Sequence, residues 1–437
     1  MVEPPDLRIV DSISKLDAAR WDELAGGNPT VSHAFLDSLH ATGCASARTG
    51  WQPQYLTLWQ GGRLDGAVPL YAKTHSFGEY VFDWAWAEAY ERHGIPYYPK
   101  LLCAVPFTPA TGPRLLAATQ EARTRLARAM VDLARESGLS SLHVLFPAPG
   151  DAQALRACGL AERTGVQFHW HNAGYRDFED FLGALSHDKR KKIRQERKRV
   201  AAEGVVLRRV TGREASEADW DFFNRCYRKT YREHRSTPYL TREFFAELVR
   251  RMPGHVLLVI AERDGKPVAA ALDLFGPAAL YGRYWGSVEY VPGLHFEVCY
   301  YQALEFCIER ASRSSRAARR ASTSTRADSF PSPPVPSTGS RTPPSARRSK
   351  TSSNAKALTC RVTLTSWKNE PPSGKNENRA RLNFLAEIQP GTVFREGSPA
   401  CPRGGSTRWR TRASAAPLAS RASRGRAPSR GRRRPGR

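Results

Sequence analysis

The stretch HVLLVIAERDGKPVAAALDLF, residues 255–275, decides the fold of this 437-residue chain. Two apolar runs flank Asp264-Gly265, and a dipeptide of this type between such runs is a strong sequence signal for a β-hairpin. An earlier stretch, QYLTLWQGGRLDGAVPLYAK at residues 54–73, repeats the order of strand, glycine-containing turn and strand. The two stretches therefore predict two successive units that begin with similar hairpins.

The segment after the first hairpin predicts a strand, a loop, a helix and a further strand. Leu126, Met130 and Leu133 are spaced by four and three residues, which places them on one helical face. The remaining elements of this unit are the apolar run 101–107, the loop 108–114 and the strand 142–146.

The segment after the second hairpin follows the same order but stops early. A strand at 280–286, a loop at 287–297 and a helix at 298–310 are predicted there, and the pattern ends before the next strand. The sequence thus predicts an α/β fold with mixed sheets. Its two units are expected at residues 1–165 and 166–310, the second of them incomplete.

The order of these elements resembles the acetyltransferase-type (GNAT) fold. In that fold two strands diverge, and the acyl donor binds in the gap with its pyrophosphate at a helix N-terminus, where free N–H groups favour anions. The corresponding loops here are TPATGPR, 108–114, and SVEYVPGLHFE, 287–297. Neither has the usual Arg/Gln-x-x-Gly-x-Gly pattern, and this absence weakens the case for coenzyme A.

The net charge of +25 is concentrated at the C-terminal end of the chain. Residues 311–437 contain 28 Lys and Arg against 5 Asp and Glu, whereas residues 1–310 contain 39 against 37. Only 12 of the last 127 residues are Ile, Leu, Val or Phe, too few to offset the chain entropy of folding. A disordered basic tail is predicted, with nucleic-acid binding through it as one alternative function.

The composition of the tail also fits a frameshift. If GC-rich codons are assumed and one G is restored after Arg310, the following codons read GLALFEGGAQGEHKHARGFLP. That string begins like an apolar strand, which is the element that the repeat requires. We therefore expect that the tail is translated out of frame.

Two further features of the sequence bear on the compartment. It has no apolar run of 18 residues and no N-terminal signal pattern, so neither a membrane span nor secretion is predicted. The eight cysteines are scattered and form no C-x-x-C pair. A cytoplasmic protein without a bound metal or a permanent cofactor is expected.

Five long stretches carry a resemblance to a known family. The body resembles the Fem-like (FemAB-like) group of tandem-GNAT proteins, which is associated with peptidoglycan biosynthesis. The matching stretches are NPTVSHAFLDSL (28–39), HSFGEYVFDWAWAEAYERHGIPYYPKLL (75–102), PFTPATGPRLL (106–116), LSHDKRKKIRQERKRV (185–200) and YGRYWGSVEYVPGLHFEVCYYQALEFCIE (281–309).

The resemblance implies transfer of an acyl or aminoacyl group to an amine, with a cell-wall precursor as one acceptor. The implied donors are acyl-CoA or an aminoacyl-tRNA, and the implied partners are a small-molecule or nucleotide-linked substrate and tRNA. A non-catalytic binder of a nucleotide-linked ligand is the alternative from another functional class. The oligomeric state is left open.

An aromatic stretch at residues 75–98 is the first candidate for a binding site. Its rings fit either a hydrophobic core or the wall of a pocket. In the second interpretation its polar contacts would be His75, Glu79, Asp83 and Lys100. Such rings usually belong to a core, but their mixture with ionisable groups is unusual for a pure core.

The loop 287–297 is the candidate for catalysis. Transfer to an amine requires a base that removes a proton from the attacking ammonium and a donor for the tetrahedral intermediate. Glu297 or His295, expected on one side of an extended segment, would be the base. Tyr284, Tyr300 or Tyr301 would donate to the oxyanion or the leaving group. Alternatively, Glu297 only caps the following helix.

The stretch SHDKRKKIRQERKRVAAE, residues 186–203, predicts a strongly cationic helix. Either it binds phosphates of a nucleotide-linked substrate or a tRNA, or it is a solvated helix face. Lys189, Arg190 and Arg194 are the candidate phosphate ligands. The other candidate substrate-binding residues lie mostly in the matching stretches: His33, Tyr80, Trp84, Tyr98, Thr108, Arg114, Trp285 and Glu289.

Overall fold

The computed structural model describes residues 5–81, 83–163, 165, 167–311 and 361–364. The rest of the predicted tail lies outside these residues. No helix within the described ranges is long and apolar enough to cross a membrane. Those ranges likewise contain no cluster of three or more His, Cys, Asp or Glu side chains that could hold a metal ion.

Two sheets divide the strands of the first half. In chain order the strands are β1 (Asp6–Val10), β2 (Trp51–Pro53), β3 (Tyr55–Gln60), β4 (Arg63–Val68), β5 (Leu70–Lys73), β6 (Lys100–Cys103), β7 (Leu116–Ala117) and β8 (Leu142–Val144). One sheet has the order β1-β3-β4-β7 and the other the order β2-β5-β6-β8. The sequence predicts a single second strand in the first hairpin. The structure divides it at Pro69, which has no N–H to continue the ladder.

The helices of the first half are α1 (Ala18–Ala25), α2 (His33–Ala41), α3 (Trp84–Arg92), α4 (Gln120–Glu136) and α5 (Pro149–Ala157). The predicted amphipathic helix is α4. Its first turn is capped by the Thr119 hydroxyl, which accepts a bond from the Ala122 N–H at 3.1 Å. It buries Leu126 and Met130 completely and ends before Gly138, which adopts a φ of +62°.

The second half contains the predicted hairpin. Its elements are β9 (Phe168–His171), α6 (Phe178–Gly183), α7 (His187–Ala202), β10 (Val205–Thr211), α8 (Glu217–Glu233), α9 (Arg242–Arg251), β11 (Val256–Arg263), β12 (Lys266–Phe275) and β13 (Ala279–Ser287). Asp264 and Gly265 turn the chain between β11 and β12 with φ angles of 51° and 71°. Two left-handed residues of this kind match the right-handed twist of the flanking strands, so the hairpin prediction is confirmed.

The last helix starts earlier than the sequence predicts. It begins with an α-helical turn at Leu294–Phe296, continues as a π-helix over Glu297–Tyr301 and is α-helical again over 302–311. The predicted loop 287–297 is therefore shorter in the structure. His295 and Glu297 lie on the helix and not on an extended segment.

A short strand from the tail extends the second sheet. Strand β14 (Arg361–Leu364) pairs parallel with β13 and antiparallel with β9, which gives the order β10-β11-β12-β13-β14-β9. Strand β14 thus occupies the position next to β13, and the expectation that the second unit is incomplete stays a prediction. This strand covers N–H and C=O groups of β13 that would otherwise be a free edge.

In both halves a helix lies between two parallel neighbouring strands. Strands β6 and β8 are parallel and are separated along the chain by α4. Strands β13 and β14 are parallel as well, and the helix over 294–311 lies between them in the chain. The α/β fold class with mixed sheets is therefore confirmed. The boundaries at residues 165 and 310 stay predictions.

One hydrophobic core joins the two halves. Phe35 of α2 contacts Phe244 of α9 edge to face, with ring centroids 6.1 Å apart. At the rim of this contact, Arg251 of α9 forms an ion pair with Asp37 of α2. Helices from both halves thus exclude water from the same interior, which fixes the junction between the halves.

Gly286 tests the close contact between β13 and α8. A Cβ atom at Gly286 would lie 2.4 Å from the carbonyl oxygen of Cys226 and 2.7 Å from the Thr230 hydroxyl. Because the nearest atom belongs to a helix backbone, Gly286→Ala forces the helix away from the strand. We expect a loss of about 1–3 kcal/mol in the free energy of unfolding, measured by chemical denaturation.

Gly183→Ala is the matched control, since a Cβ atom there meets nothing within 4 Å. That variant should change stability by less than about 1 kcal/mol. Equal stability of the two variants would contradict the packing of α8 on β13.

Candidate functional site

The candidate site contains two lysines that lie opposite each other on neighbouring strands. Lys73 ends β5 and Lys100 begins β6, and the two residues are direct partners in the antiparallel register. Both side chains are fully buried. Like charges directly opposite each other destabilise a strand pair, so the surrounding segment must supply compensating groups.

The ammonium group of Lys100 uses all three of its N–H donors. It donates to Ser76 Oγ at 2.9 Å, Glu79 Oε2 at 2.9 Å and Asp83 Oδ2 at 2.5 Å. The carboxylates are almost fully buried, with 4% of Glu79 and 6% of Asp83 exposed. This group of residues, together with Lys73, is called the ionic cluster below.

Lys73 is held differently from Lys100. Its Nζ donates to His75 Nδ1 at 2.9 Å and to the His75 carbonyl oxygen at 2.5 Å, and it lies 4.6 Å from the centroid of the Trp51 ring. Burial lowers the pKa of Lys73 to about 7, although the charge of Glu79 acts in the opposite direction. Lys73 forms no ion pair with a carboxylate of the described residues.

Each carboxylate of the ionic cluster has one oxygen without a hydrogen bond. These atoms are Glu79 Oε1 and Asp83 Oδ1, both buried and without a partner among the described residues. Burial raises the pKa of Glu79 to about 7 against the charge of Lys100. Burial would also raise the pKa of Asp83, but hydrogen bonds from Lys100, Ser76 and Tyr97 lower it. Unpaired buried acceptors are uncommon and costly, so they indicate a place for a hydrogen-bond donor.

The aromatic segment covers the ionic cluster from outside. Helix α3 contains no buried residue, and Phe77, Trp86 and Ile95 are more than half exposed. Tyr97 is buried beneath them, and its hydroxyl donates to Asp83 Oδ2 at 2.6 Å. The rings are therefore a surface layer over charged groups and not a hydrophobic core.

A group of tyrosines adjoins the ionic cluster at the junction of the two halves. Tyr80, next to Glu79, places its hydroxyl 3.4 Å from that of Tyr231 on α8. The hydroxyl of Tyr284 on β13 donates to the Phe107 carbonyl oxygen at 3.2 Å, and Arg283 donates to the same oxygen. The second half thus binds the main chain of the first.

Gly78 connects this junction to the ionic cluster. The Phe107 N–H donates to the Gly78 carbonyl oxygen at 3.2 Å, one residue before Glu79. A Cβ atom on Gly78 would lie 2.6 Å from the Phe107 ring, and Gly78 adopts a φ of +82°. Only glycine fits this contact without strain.

The structure brings together one part of the predicted site. His75, Glu79, Asp83 and Lys100 meet in the ionic cluster, and Tyr98 reaches it through a 2.8 Å contact with Ser76. Tyr80, Thr108 and Tyr284 meet at the adjoining junction, where Arg283 lies 3.5 Å from Thr108 Oγ1. Trp84 lies in the surface layer, against Phe77.

His295 and Glu297 do not share a face, contrary to the prediction. On a helix, two residues two positions apart point in different directions. His295 packs against Trp285, with ring centroids 4.9 Å apart. The buried carboxylate of Glu297 accepts bonds from Arg197 Nε at 3.1 Å and Gln302 Nε2 at 2.8 Å. These contacts join the helix to α7.

Several other candidates are bound to the protein itself. The buried guanidinium of Arg114 donates to the carbonyl oxygens of Leu145, Pro113 and Ala110. His33 Nε2 lies 2.9 Å from the Ile13 carbonyl oxygen, and Glu289 pairs with Arg263. Tyr301 donates to Glu196, and Tyr300 packs against His295.

The basic helix α7 has a structural side and a solvent side. Ile193, Val200 and Arg197 face the helix over 294–311 and its core. On the other side a surface groove of about 250 Å³ is lined by His187, Arg190, Lys191, Arg194, Gln195 and Lys198. Arg194 also pairs with Glu179, and Lys189 is only partly exposed.

Sequence reasoning missed Lys73, Ser76, Tyr97 and Arg283. A lysine at the end of the apolar run LYAK was the available signal for Lys73. It missed Asp273 of β12 as well, a buried acid whose Oδ2 has no partner in the described residues and whose pKa is raised by burial to about 8.

Removal of the Lys100 charge tests the ionic cluster as a structural unit. In Lys100→Met, Glu79 and Asp83 lose their shared counter-ion in a dry interior. We expect a loss of about 3–5 kcal/mol in the free energy of unfolding, measured by denaturant titration at pH 7.

Lys229→Met is the control, because Lys229 pairs with Glu233 on the exposed side of α8. It should cost less than about 1 kcal/mol. The triple variant Lys100→Met, Glu79→Gln, Asp83→Asn should recover part of the loss, and no recovery would contradict the charge argument.

The solved structures that this chain distantly resembles include the following three. A crystal structure of FemX is 11% identical, with 84% of this chain and 92% of that chain covered and a TM-score of 0.41. The C-terminal domain of a putative lysylphosphatidylglycerol synthetase from Agrobacterium fabrum is 11% identical, with coverages of 68% and 76% and a TM-score of 0.42. A tandem GNAT protein from the clavulanic acid biosynthesis pathway is 13% identical, with coverages of 87% and 94% and a TM-score of 0.37.

Comparison with protein families is more decisive. No curated protein matches the chain. The model of the FemAB-like family, described by the words peptidoglycan biosynthesis/recognition, matches residues 12–318. That range includes the ionic cluster, the tyrosine junction and helix α7. The chain therefore belongs to the FemAB-like family of peptidoglycan biosynthesis and recognition.

Proposed function

We propose that the protein transfers an acyl or aminoacyl group to an amine on a cell-wall precursor. The observation that carries this proposal is the pair of unpartnered buried oxygens, Glu79 Oε1 and Asp83 Oδ1. Two carboxylate oxygens without donors suit an ammonium group, which brings three N–H donors. The family's association with peptidoglycan supports a precursor as the carrier of that amine.

Glu79 is the residue we assign to proton removal. A base works best when its pKa lies near the working pH, and burial raises the pKa of Glu79 to about 7. Glu79 takes a proton from the bound ammonium, and the nitrogen lone pair then attacks the carbonyl carbon of the donor. A C–N bond forms, and the C–S bond of acyl-CoA or the C–O ester bond of aminoacyl-tRNA breaks. As the tetrahedral intermediate collapses, the nitrogen loses a second proton, and the leaving group departs with that proton as a thiol or an alcohol. Glu79 then releases its own proton to water.

Tyr284 is the candidate donor to the oxyanion or the leaving group, provided that its single O–H turns away from the Phe107 carbonyl oxygen, to which Arg283 also donates. Its hydroxyl lies at the junction, against Phe107 and close to Tyr80, which follows Glu79 in the chain. Burial raises the pKa of Tyr284, so the group keeps its proton at neutral pH. A protonated hydroxyl is the form that can donate a hydrogen bond.

The basic groove on α7 supports a donor or acceptor that carries phosphate. Arg190, Lys191 and Lys198 line it on the solvent side of the helix. Cations in a row along one helix face attract phosphate groups in a salt-dependent manner. A nucleotide-linked precursor and an aminoacyl-tRNA both fit this chemistry. Nucleic-acid binding through the tail concerns residues that lie mostly outside the described ranges.

Glu79→Gln tests the assignment of the base. The amide keeps the shape of the carboxylate but cannot accept a proton, so the transfer rate should fall by about 100-fold or more. In the unchanged protein the rate should rise with pH through about 7, because only the ionised form of Glu79 accepts the proton. The measurement is amide product by mass spectrometry, with acetyl-CoA or aminoacyl-tRNA as donor and a precursor peptide as acceptor.

Glu233→Gln, on the exposed side of α8, is the control and should transfer at the normal rate. Binding of the acceptor without any product from either donor would instead support the alternative function, a non-catalytic binder.

Glu297→Gln and His295→Ala test which of the two halves contains the base. We expect both variants to keep the rise of rate with pH, because the Glu297 carboxylate is bound by Arg197 and Gln302 and His295 packs against Trp285. Glu297→Gln should mainly lower the melting temperature. A loss of the pH dependence in either variant, with Glu79→Gln active, would move the base to the second half.

A further inference from the structure

The two lysines of the ionic cluster differ in how many hydrogen-bond acceptors their N–H groups have. An ammonium group has three N–H donors. Lys100 places its three on Ser76, Glu79 and Asp83, whereas Lys73 has two acceptors in the described residues, both on His75. Lys73 Nζ also lies 4.6 Å from the centroid of the Trp51 ring, so its third N–H has at most this ring, and no oxygen or nitrogen acceptor, in this part of the chain.

The missing acceptor of Lys73 and the missing donors of the carboxylates occur in one cluster. Lys73 is the cross-strand partner of Lys100, to which Glu79 and Asp83 are bonded. Lys73 and Lys100 are both fully buried, and Glu79 and Asp83 are almost fully buried against Lys100, so the four groups share one interior. A ligand that satisfies the cluster must carry an acceptor as well as a donor.

Charge balance points to the same kind of ligand. When all four groups are ionised, the cluster contains two positive and two negative charges and is neutral. A simple ammonium ligand would add one uncompensated positive charge to a buried site, which is costly. A ligand with an ammonium and a carboxylate on one carbon adds no net charge and meets both needs.

We propose that the ionic cluster recognises a free α-amino-acid end, with its ammonium on Glu79 Oε1 and Asp83 Oδ1 and its carboxylate on Lys73. This inference rests on the proposed function and narrows it, because the attacking nitrogen becomes an α-amino group. Lys73 is then a residue that determines specificity. It separates an acceptor with an α-amino-acid end from one with a plain amine.

Three matched probes test the proposal on the full chain by calorimetry. They are 2,6-diaminopimelate, which has α-amino-acid ends, 1,5-diaminopentane, which has only amines, and pimelate, which has only carboxylates. We expect diaminopimelate to bind at least about tenfold more tightly than diaminopentane, and pimelate not to bind. Equal affinity for the first two probes would overturn the proposal without any variant being made.

Lys73→Met separates specificity from folding. Methionine has a similar length without the charge. The affinity for diaminopimelate should therefore fall about tenfold, to that for diaminopentane, while the affinity for diaminopentane should not fall. Lys266→Met, on the exposed hairpin end, is the control and should bind all probes as the unchanged protein does. An equal loss for both amines would mean that Lys73 acts only through the fold, and would overturn the proposal.

Glu79→Gln distinguishes this inference from the proposed function. Suppose that Glu79→Gln no longer binds either amine probe, but that the unchanged protein binds both probes equally well. The proposed amine site would then stand, and the role of Lys73 would be refuted. Unchanged binding of both amines to Glu79→Gln would refute the amine site itself and this inference with it.

Discussion

The burial of Lys100 between Glu79 and Asp83 is the constraint on which the arrangement of this protein's site depends. A charged amine without water must be surrounded by acceptors, and here these acceptors come from the segment between β5 and β6. As a result the segment lies over strands β5 and β6, with its aromatic residues on the outside and its carboxylates on the inside. The ionic cluster therefore determines both the course of the chain and the polarity of the interior that a ligand would meet.

The second half supports this segment through main-chain atoms. Arg283 and Tyr284 bond to the carbonyl oxygen of Phe107, and the N–H of Phe107 bonds to Gly78, next to Glu79. A shared hydrophobic core between α2 and α9 holds the halves in register. The position of the base that we propose thus depends on contacts from both halves, although the charged groups belong to the first half alone.

Much of the fold could be predicted from the sequence because its signals are local. The Asp264-Gly265 turn and the apolar face of helix α4 depend on a few neighbouring residues, and both were predicted. The division of the first hairpin at Pro69 and the early start of the last helix were not predicted, since they depend on which sheet and which core the chain meets. The grouping of Glu79, Asp83 and Lys100 was partly accessible, because Glu79 and Asp83 lie in the aromatic stretch 75–98 and Lys100 follows two residues after it.

The sequence by itself determined the fold class, the family, the separation of a nearly neutral body from a basic tail, and the ionisable residues of the aromatic stretch. Those properties are written in composition, periodicity and local motifs. Only the tertiary structure decided that Lys73 joins Lys100 across two strands, that His295 and Glu297 point apart, and that two carboxylate oxygens remain unpaired. The physical reason is that a buried polar group finds its hydrogen-bond partners among residues distant in the chain. A local sequence pattern does not indicate which residues these are.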